Sequence, residues 1–232
     1  MPREIPRPKR RRNPQKTRAA ILEAAKTILA QDGQEGLSVS AVAKLAGINR
    51  GTAYQYFEQR EDLVRATLDW VSSQLLKAVF PTAAEEARRT PAATRGQRLT
   101  NVISSMAEFN LQLADFAIDN PEIGRIWLFD LLSRDNPRED VFFQRFELSL
   151  QELIEGDAAE PDIDVEVISV LMLSGFFLWP VWVGAHARGK RARTQMARRF
   201  ASEILRLNMH GVIHADSHAL LQSYLRDKFP RN

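Results

Sequence analysis

The sequence predicts an all-α protein with a small N-terminal helix-turn-helix domain and a larger helical bundle after it. Apolar residues recur at helical spacing along most of the 232 residues, and no stretch shows a persuasive period-two alternation typical of strands. Near the N-terminus, two short helical segments flank a glycine. We therefore expect an arm over residues 1–13, a helix-turn-helix domain over 14–62 and a helical domain over 63–232.

Local signals mark the limits of the first three helices. Pro14 suits the first position of a helix, because the N–H that it lacks has no helical partner there. Gly33 is expected to end this helix. Ser38 and Asn49 can each cap a following helix by accepting a backbone N–H, and Gly47 between them supplies the positive φ angle of a tight turn.

The rest of the chain keeps the helical pattern. A fourth helix is predicted to follow over about residues 58–80, with Glu61 and Asp62 favourably placed in its first turn. Further helices are predicted at about 97–119, 122–133, 138–155, 163–187, 191–209 and 216–228.

The composition argues against an enzyme and against a metal site. Hydrophobic residues make up 44% and charged residues 26%, as in ordinary soluble proteins, and the absence of cysteine excludes disulfides and thiolate chemistry. No catalytic triad order, phosphate loop or carboxylate pair stands out, so we expect no enzyme activity and no cofactor. His210, His214 and His218 recur every four residues, but Gly211 and Asp216 predict a break, and zinc needs three or four converging ligands. No metal site is expected.

The charge is uneven along the chain. Residues 1–18 contain eight Lys or Arg and one acidic residue, although the formal net charge is only +3. Such a basic end indicates a polyanion partner, either nucleic acid or an anionic membrane. This end carries charge but no apolar core, so it does not resemble a secretory signal, and a cytoplasmic protein is expected.

The third short helix has an unusual polar start. Arg50, Gly51 and Thr52 form its exposed first turn, and Tyr54 lies on the same face. Arginine can bind a phosphate or donate twice to guanine, and threonine can contact a base, a phosphate or a thymine methyl group. Gly51 would allow close approach of a DNA backbone, whereas Phe57 is expected to point into the core.

These residues belong to a longer pattern that resembles a known family. The segment SVSAVAKLAGINRGTAYQYFEQREDL, residues 38–63, is similar to the DNA-binding segment of the tetracycline-repressor (TetR) family. The likeness lies in the hydrophobic-Ala-Lys run, the Ala-Gly-hydrophobic turn, the Gly-Thr pair, Tyr-x-Tyr-Phe and the acidic residue before leucine. It covers roughly residues 15–65.

The resemblance implies a helical homodimer that binds double-stranded DNA at a palindromic operator, usually as a repressor released by a small molecule. It places Tyr56 and Arg60 on phosphates and dimerisation on the helices near 163–187 and 191–209. In the basic arm, Arg10, Arg11 and Arg12 could enter an adjacent minor groove or serve only as a solubilising tail. The implied DNA-facing residues after the arm are Ser38, Asn49, Arg50, Gly51, Thr52, Tyr54, Tyr56 and Arg60.

One uncharged segment leaves an alternative open. Residues 167–187 contain no Asp, Glu, Lys or Arg and are long enough to cross a membrane. We favour a buried helix at the centre of the bundle or of its dimer, with no membrane partner, because such a helix is apolar all round. The alternative is a membrane-attached protein with a basic cytoplasmic tail and a single span there.

The larger domain is expected to bind ligand and to dimerise. Helical bundles can enclose largely apolar ligand sites, so we predict a pocket for a small apolar or aromatic effector. Trp127, Phe143 and Phe177 are the candidate lining residues. A DNA-binding protein that responds to no ligand is the remaining alternative.

Overall fold

The computed structural model describes residues 13–80, 94–155, 159–160, 163–211, 213 and 215–228. Within these ranges all regular structure is helical, apart from an isolated bridge between Ala159 and Ile213, so the predicted all-α class is confirmed. The chain divides into two compact units, Met1–Trp70 and Val71–Asn232.

The first unit begins with three helices whose limits follow from local residues. They are α1 (Pro14–Gly36), α2 (Val39–Leu45) and α3 (Arg50–Tyr56). The side chain of Asn13 caps α1 by accepting the N–H groups of the second and third helical residues, at 3.1 and 3.4 Å. Gly33 has a φ of 68° and interrupts α1 where the sequence predicts its end, and one further turn follows it.

A small apolar core joins these helices. From α1, Ile21, Leu22 and Ala25 are buried at helical spacing. Val42 of α2 and Ala53 of α3 are also buried, and the small alanine permits close crossing of the helices. Helix α4 (Arg60–Val79) follows and continues into the second unit.

Within its described residues the second unit contains six further helices, and each helix predicted there is present with ends within three residues of the prediction. They are α5 (Arg95–Asp119), α6 (Pro121–Ser133), α7 (Val141–Glu155), α8 (Val165–His186), α9 (Lys190–Gly211) and α10 (His218–Lys228). Short 3₁₀ turns precede α7 and α10. Helices α5 and α9 pack closely, and their core includes Ile103, Ala107, Leu205 and Met209.

Helix α8 is apolar all round but only partly covered. Phe176 and Val183 are buried, whereas Leu171, Val181 and Trp182 are exposed. It is the one helix, within the described ranges, that is long and apolar enough to cross a membrane by length and composition.

A buried carboxylate joins three elements of the second unit. Asp140, just before α7, accepts hydrogen bonds from the backbone N–H groups of Phe142 and Phe143. It also accepts from the indole N–H of Trp127 in α6 and from the hydroxyl of Ser72 in α4.

Candidate nucleic-acid interface and ligand cavity

The turn between α2 and α3 has the geometry that the sequence predicts. Gly47 adopts a φ of 66°, and a side chain added there would meet nothing within 4 Å. The N–H of Ile48 donates to the carbonyl of Ala43 at 3.0 Å, which closes the turn onto α2. Gly47 is therefore required for its backbone conformation rather than for space.

Both predicted caps on either side of this turn are confirmed. The hydroxyl of Ser38 accepts the N–H of Ala41 at 3.1 Å, and the side-chain oxygen of Asn49 accepts the N–H of Gly51 at 2.8 Å. A Cβ on Gly51 would lie 3.2 Å from that same oxygen of Asn49. The glycine therefore leaves room for the cap, in addition to any clearance that it gives a DNA backbone.

The exposed face of α3 carries the residues that the sequence selects. Arg50, Gly51 and Tyr54 are exposed, Thr52 is half-buried, and Ala53 faces the core. The guanidinium carbon of Arg50 lies 5.4 Å from the centre of the Tyr54 ring. These side chains form one surface, on which the ring of Tyr54 makes a cation–π contact with the guanidinium group of Arg50.

The Tyr54 hydroxyl lies in a polar setting on this surface. A hydrogen bond with Ser40 lowers the pKa of Tyr54 below its ordinary value, and a hydrogen bond with Arg50 and the charge of Arg50 add to the effect. From Gly36 to Phe57 the sequence has no acidic residue, whereas Lys44 and Arg50 are basic. The surface therefore favours an anionic partner.

Tyr56 and Arg60 make contacts within the first unit that the sequence analysis missed. The Tyr56 hydroxyl donates to the carbonyl of Pro14 at 3.2 Å. Arg60 donates through Nε to the carbonyl of Leu37 at 3.0 Å and through a terminal nitrogen to the carbonyl of Gln34. Both side chains thus bond to α1 or its end, and their contacts with phosphates stay a prediction.

Arg10, Arg11 and Arg12 lie outside the described residues. The predicted role of the arm rests on its charge.

The second unit contains a cavity of about 490 Å³. Its walls come from the end of α4, from α5 and α7, and from single residues of α8 and α9. The volume lies within the range of small-molecule sites, which is roughly 300–1,000 Å³. Its apolar lining includes Phe80, Met106, Phe109, Phe146, Leu150 and Met172.

The three predicted lining residues lie elsewhere. Trp127, Phe143 and Phe177 are buried and do not line this cavity. The rings of Trp127 and Phe177 are 4.8 Å apart, and each also contacts the ring of Phe142. Helical spacing identifies such residues as core, but it does not tell which part of the core borders a void.

The sequence analysis missed two polar residues that do line the cavity, Asn110 of α5 and Asn208 of α9. Both are buried. Asn110 follows Ile103 and Ala107 on the apolar stripe of its helix, and an amide on such a stripe is the signal that could have found it.

No group of three or more metal-binding side chains occurs in the part of the chain that the structure describes. The rings of His210 and His218 are 5.9 Å apart, and His214 lies outside that part.

Comparison with known proteins identifies relatives of the first unit and of the fold. Residues 21–67 match the model of the family described as bacterial regulatory proteins, tetR family. The chain is 40% identical over 55 residues to the HTH-type transcriptional regulator TtgR of Pseudomonas putida, a match that covers 24% of this chain and 26% of TtgR. The chain thus matches about a quarter of the length of this curated relative.

Solved structures share the fold over most of the chain. A TetR family transcription regulator from Marinobacter aquaeolei VT8 has a TM-score of 0.60 and 18% identity, over 81% of this chain and 94% of that one. A gamma-butyrolactone receptor (ArpA like protein) has a TM-score of 0.55 and 18% identity, over 92% and 98% of the two chains. At these identities the likeness concerns the fold alone.

Proposed function

We propose that the chain is a transcriptional regulator of the TetR family of bacterial regulatory proteins, most simply a repressor, that a small molecule releases from DNA. The observation that carries the proposal is the capped α2–turn–α3 segment with Arg50, Gly51 and Tyr54 exposed at the start of α3. We infer a cytoplasmic protein, since a regulator of this kind acts on chromosomal DNA.

On DNA, α3 serves as the recognition helix in the major groove. In this motif the N-terminal residues of the recognition helix contact base edges. Arg50 and Thr52 occupy those positions. The N-terminal end of α2, which Ser38 caps, contacts the phosphate backbone. The arginines of the arm add phosphate or minor-groove contacts, which strengthen binding at low salt.

Selection from random duplex DNA by the purified protein tests this function. We expect enrichment of a palindrome whose half-sites lie about one helical turn apart. Arg50→Ala should then weaken binding to the selected site roughly 5- to 150-fold, the value of one good base contact. Arg226→Ala is the matched control, because it removes the same charge from an exposed position on α10.

Two results would count against the proposal. Failure to enrich any palindrome would reject the proposal that the protein is a sequence-specific regulator. Equal weakening by Arg50→Ala and Arg226→Ala would show that general charge, rather than α3, binds the DNA.

A homodimer is proposed to form through α8 and α9, where α8 supplies an exposed apolar face. Leu171, Leu178, Val181 and Trp182 recur at helical spacing along α8, and all are exposed, as is Leu207 of α9. A contiguous apolar surface of this kind marks an interaction site. A second copy of the chain is the occupant that a palindromic operator requires, since operator symmetry mirrors the two-fold symmetry of the protein.

The opposite side of α8 disfavours the membrane alternative. Phe176 and Val183 are buried within the bundle, and Phe176 packs edge-on against Phe200 at 5.1 Å between ring centres. Insertion of α8 into lipid would strip these contacts from the core.

The cavity of the second unit is the proposed effector site, and its apolar lining suits a small apolar or aromatic compound. One solved structure of this fold is a gamma-butyrolactone receptor, which supports a small-molecule effector without identifying the effector of this chain. The effector must prefer a conformation whose two recognition helices no longer match major grooves about 34 Å apart. Coupling of roughly 1–3 kcal/mol would lower operator affinity roughly 5- to 150-fold.

A further inference from the structure

Asn110 is the least expected residue in the cavity wall. Its exposed fraction is 0%, and neither its side-chain nitrogen nor its side-chain oxygen has a hydrogen-bond partner within the described part of the chain. A buried amide without partners lowers stability, so most buried amides are paired with protein or with ordered water. Asn110 stands in the cavity wall, but none of its atoms is open to a water molecule, so an incoming group reaches the amide only when neighbouring wall side chains shift, and it then supplies the missing partner.

The charged side chains of the cavity wall lie towards solvent. Lys77, Glu108 and Glu152 are exposed and therefore lie at its mouth. Arg145 is half-buried, forms an ion pair with Glu152 at 3.4 Å and lies 4.9 Å from the Phe80 ring centre. Among the described lining residues the positive and negative ones are equal in number, and the ion pair of Arg145 lies towards solvent.

The buried end of the cavity is uncharged but polar. Asn208, the second buried amide, also lines it, and its backbone carbonyl already accepts the N–H of Ile213 at 2.8 Å. No Asp, Glu, Lys or Arg of the described lining is buried there. A ligand charge placed at this end would be desolvated without a counter-charge, which is unfavourable. A purely apolar ligand would leave the Asn110 amide unpaired.

We propose that the effector is a neutral compound with an apolar body and, at its buried end, a hydrogen-bond acceptor beside a donor, as in a carboxamide or lactam, paired with Asn110. This inference rests on the proposed function, in which the cavity binds the effector. Two antiparallel amide–amide hydrogen bonds satisfy the nitrogen and the oxygen of Asn110 together. The apolar body then contacts rings and thioethers such as Phe109, Phe146 and Met106.

Three probes of nearly equal shape test the chemistry. They are 4-phenylbutyramide, 4-phenylbutyrate and butylbenzene, and their binding to the full-length protein is measured by calorimetry and by ligand-detected NMR. We expect the amide to bind at least about tenfold more tightly than the anion and the hydrocarbon, as two net hydrogen bonds would give. Asn110→Leu should abolish this preference while leaving the hydrocarbon bound.

A control and a second variant keep the test decisive. Asn101→Leu removes an amide of the exposed lining and should keep the preference for 4-phenylbutyramide. Asn110→Leu should melt at the same temperature as the wild type or higher, because it removes an unpaired buried amide. Asn110→Ala provides a smaller replacement that should also lose the preference.

The outcomes separate this inference from the proposed function. An amide that binds no better than the hydrocarbon, including the case in which neither binds, would overturn the inference. A melting temperature of Asn110→Leu far below that of the wild type would also overturn it, since an internal water would then already satisfy the amide. Absence of operator binding by the wild type would instead reject the regulator and leave the probe preference as a separate result.

Discussion

Replacement of Asp140 by alanine is expected to destabilise the second unit strongly. The carboxylate is 1% exposed. One of its oxygens accepts from the indole N–H of Trp127 at 3.0 Å and from the N–H groups of Phe142 and Phe143 at 3.0 and 2.9 Å. The other oxygen accepts from the hydroxyl of Ser72 and forms an ion pair with a terminal nitrogen of Arg134 at 3.7 Å. Alanine would remove the four hydrogen bonds and this ion pair at once.

The magnitude follows from the groups left behind. Loss of the cap at the start of α7 costs about 1 kcal/mol. The buried indole N–H of Trp127 and the hydroxyl of Ser72 would each lose their acceptor, at about 1–3 kcal/mol each. Because neighbouring effects are not additive, we expect a total of about 3–5 kcal/mol in the free energy of unfolding.

The matched variant is Asp140→Asn. Its carbonyl oxygen can still accept from Trp127 and cap α7, and its NH₂ group can donate to the Ser72 hydroxyl. We expect a loss below about 1.5 kcal/mol, the value of one ordinary hydrogen bond. The comparison therefore separates the acceptor geometry from the charge.

Urea unfolding followed by circular dichroism and tryptophan fluorescence measures both variants, at one fixed protein concentration so that dimerisation does not alter the comparison. If Asp140→Ala lowered the free energy of unfolding by less than about 1 kcal/mol, the proposed role of the Asp140 hydrogen bonds would be refuted. Such a decrease is smaller than the cost of the unpaired indole N–H and hydroxyl groups alone. Equal losses for the two variants would assign the effect to the charge.

Two further changes test the dimer face and the turn. Val181→Glu, on the exposed face of α8, should elute as a monomer in size-exclusion chromatography and lose operator affinity. The control Gln151→Glu, at an exposed position of α7, should stay dimeric. Equal elution of the two variants would argue against the proposed dimer face. Gly47→Ala should destabilise the first unit by about 1–2 kcal/mol, since alanine is strained at positive φ. Gly96→Ala is the control, because Gly96 has open space and an ordinary φ in α5, and it should cost nothing in the same urea unfolding assay. An unchanged free energy of unfolding for Gly47→Ala would contradict the turn argument.

Features that depend on neighbouring residues could be predicted in detail. The start of α1 at Pro14, the positive φ of Gly47 and the caps by Ser38 and Asn49 all involve groups within about four positions of each other. Capping and turn formation are local, so the residue types are sufficient to identify them. The exposed start of α3 follows directly from these limits.

Contacts between distant residues could not be predicted in this way. Arg60 bonds to the carbonyl of Leu37, 23 positions away, and Tyr56 bonds to that of Pro14, 42 positions away. A long polar side chain on a helix end has many partners within reach, and only the packing of α1 against the other helices selects one. The contacts of Arg60 and Tyr56 within the first unit could therefore not be predicted from the sequence pattern.

By itself the sequence determined the helical class, the order of the helices, the turn of the candidate DNA-binding segment and the excess of basic residues at one end. Only the tertiary structure decided that Trp127 packs in the core while Asn110 lines a cavity, and that α8 is covered on one side and exposed on the other. The physical reason is that periodicity reports which face of a helix avoids water. It does not report which residues of that face meet a neighbour, a void or a second subunit.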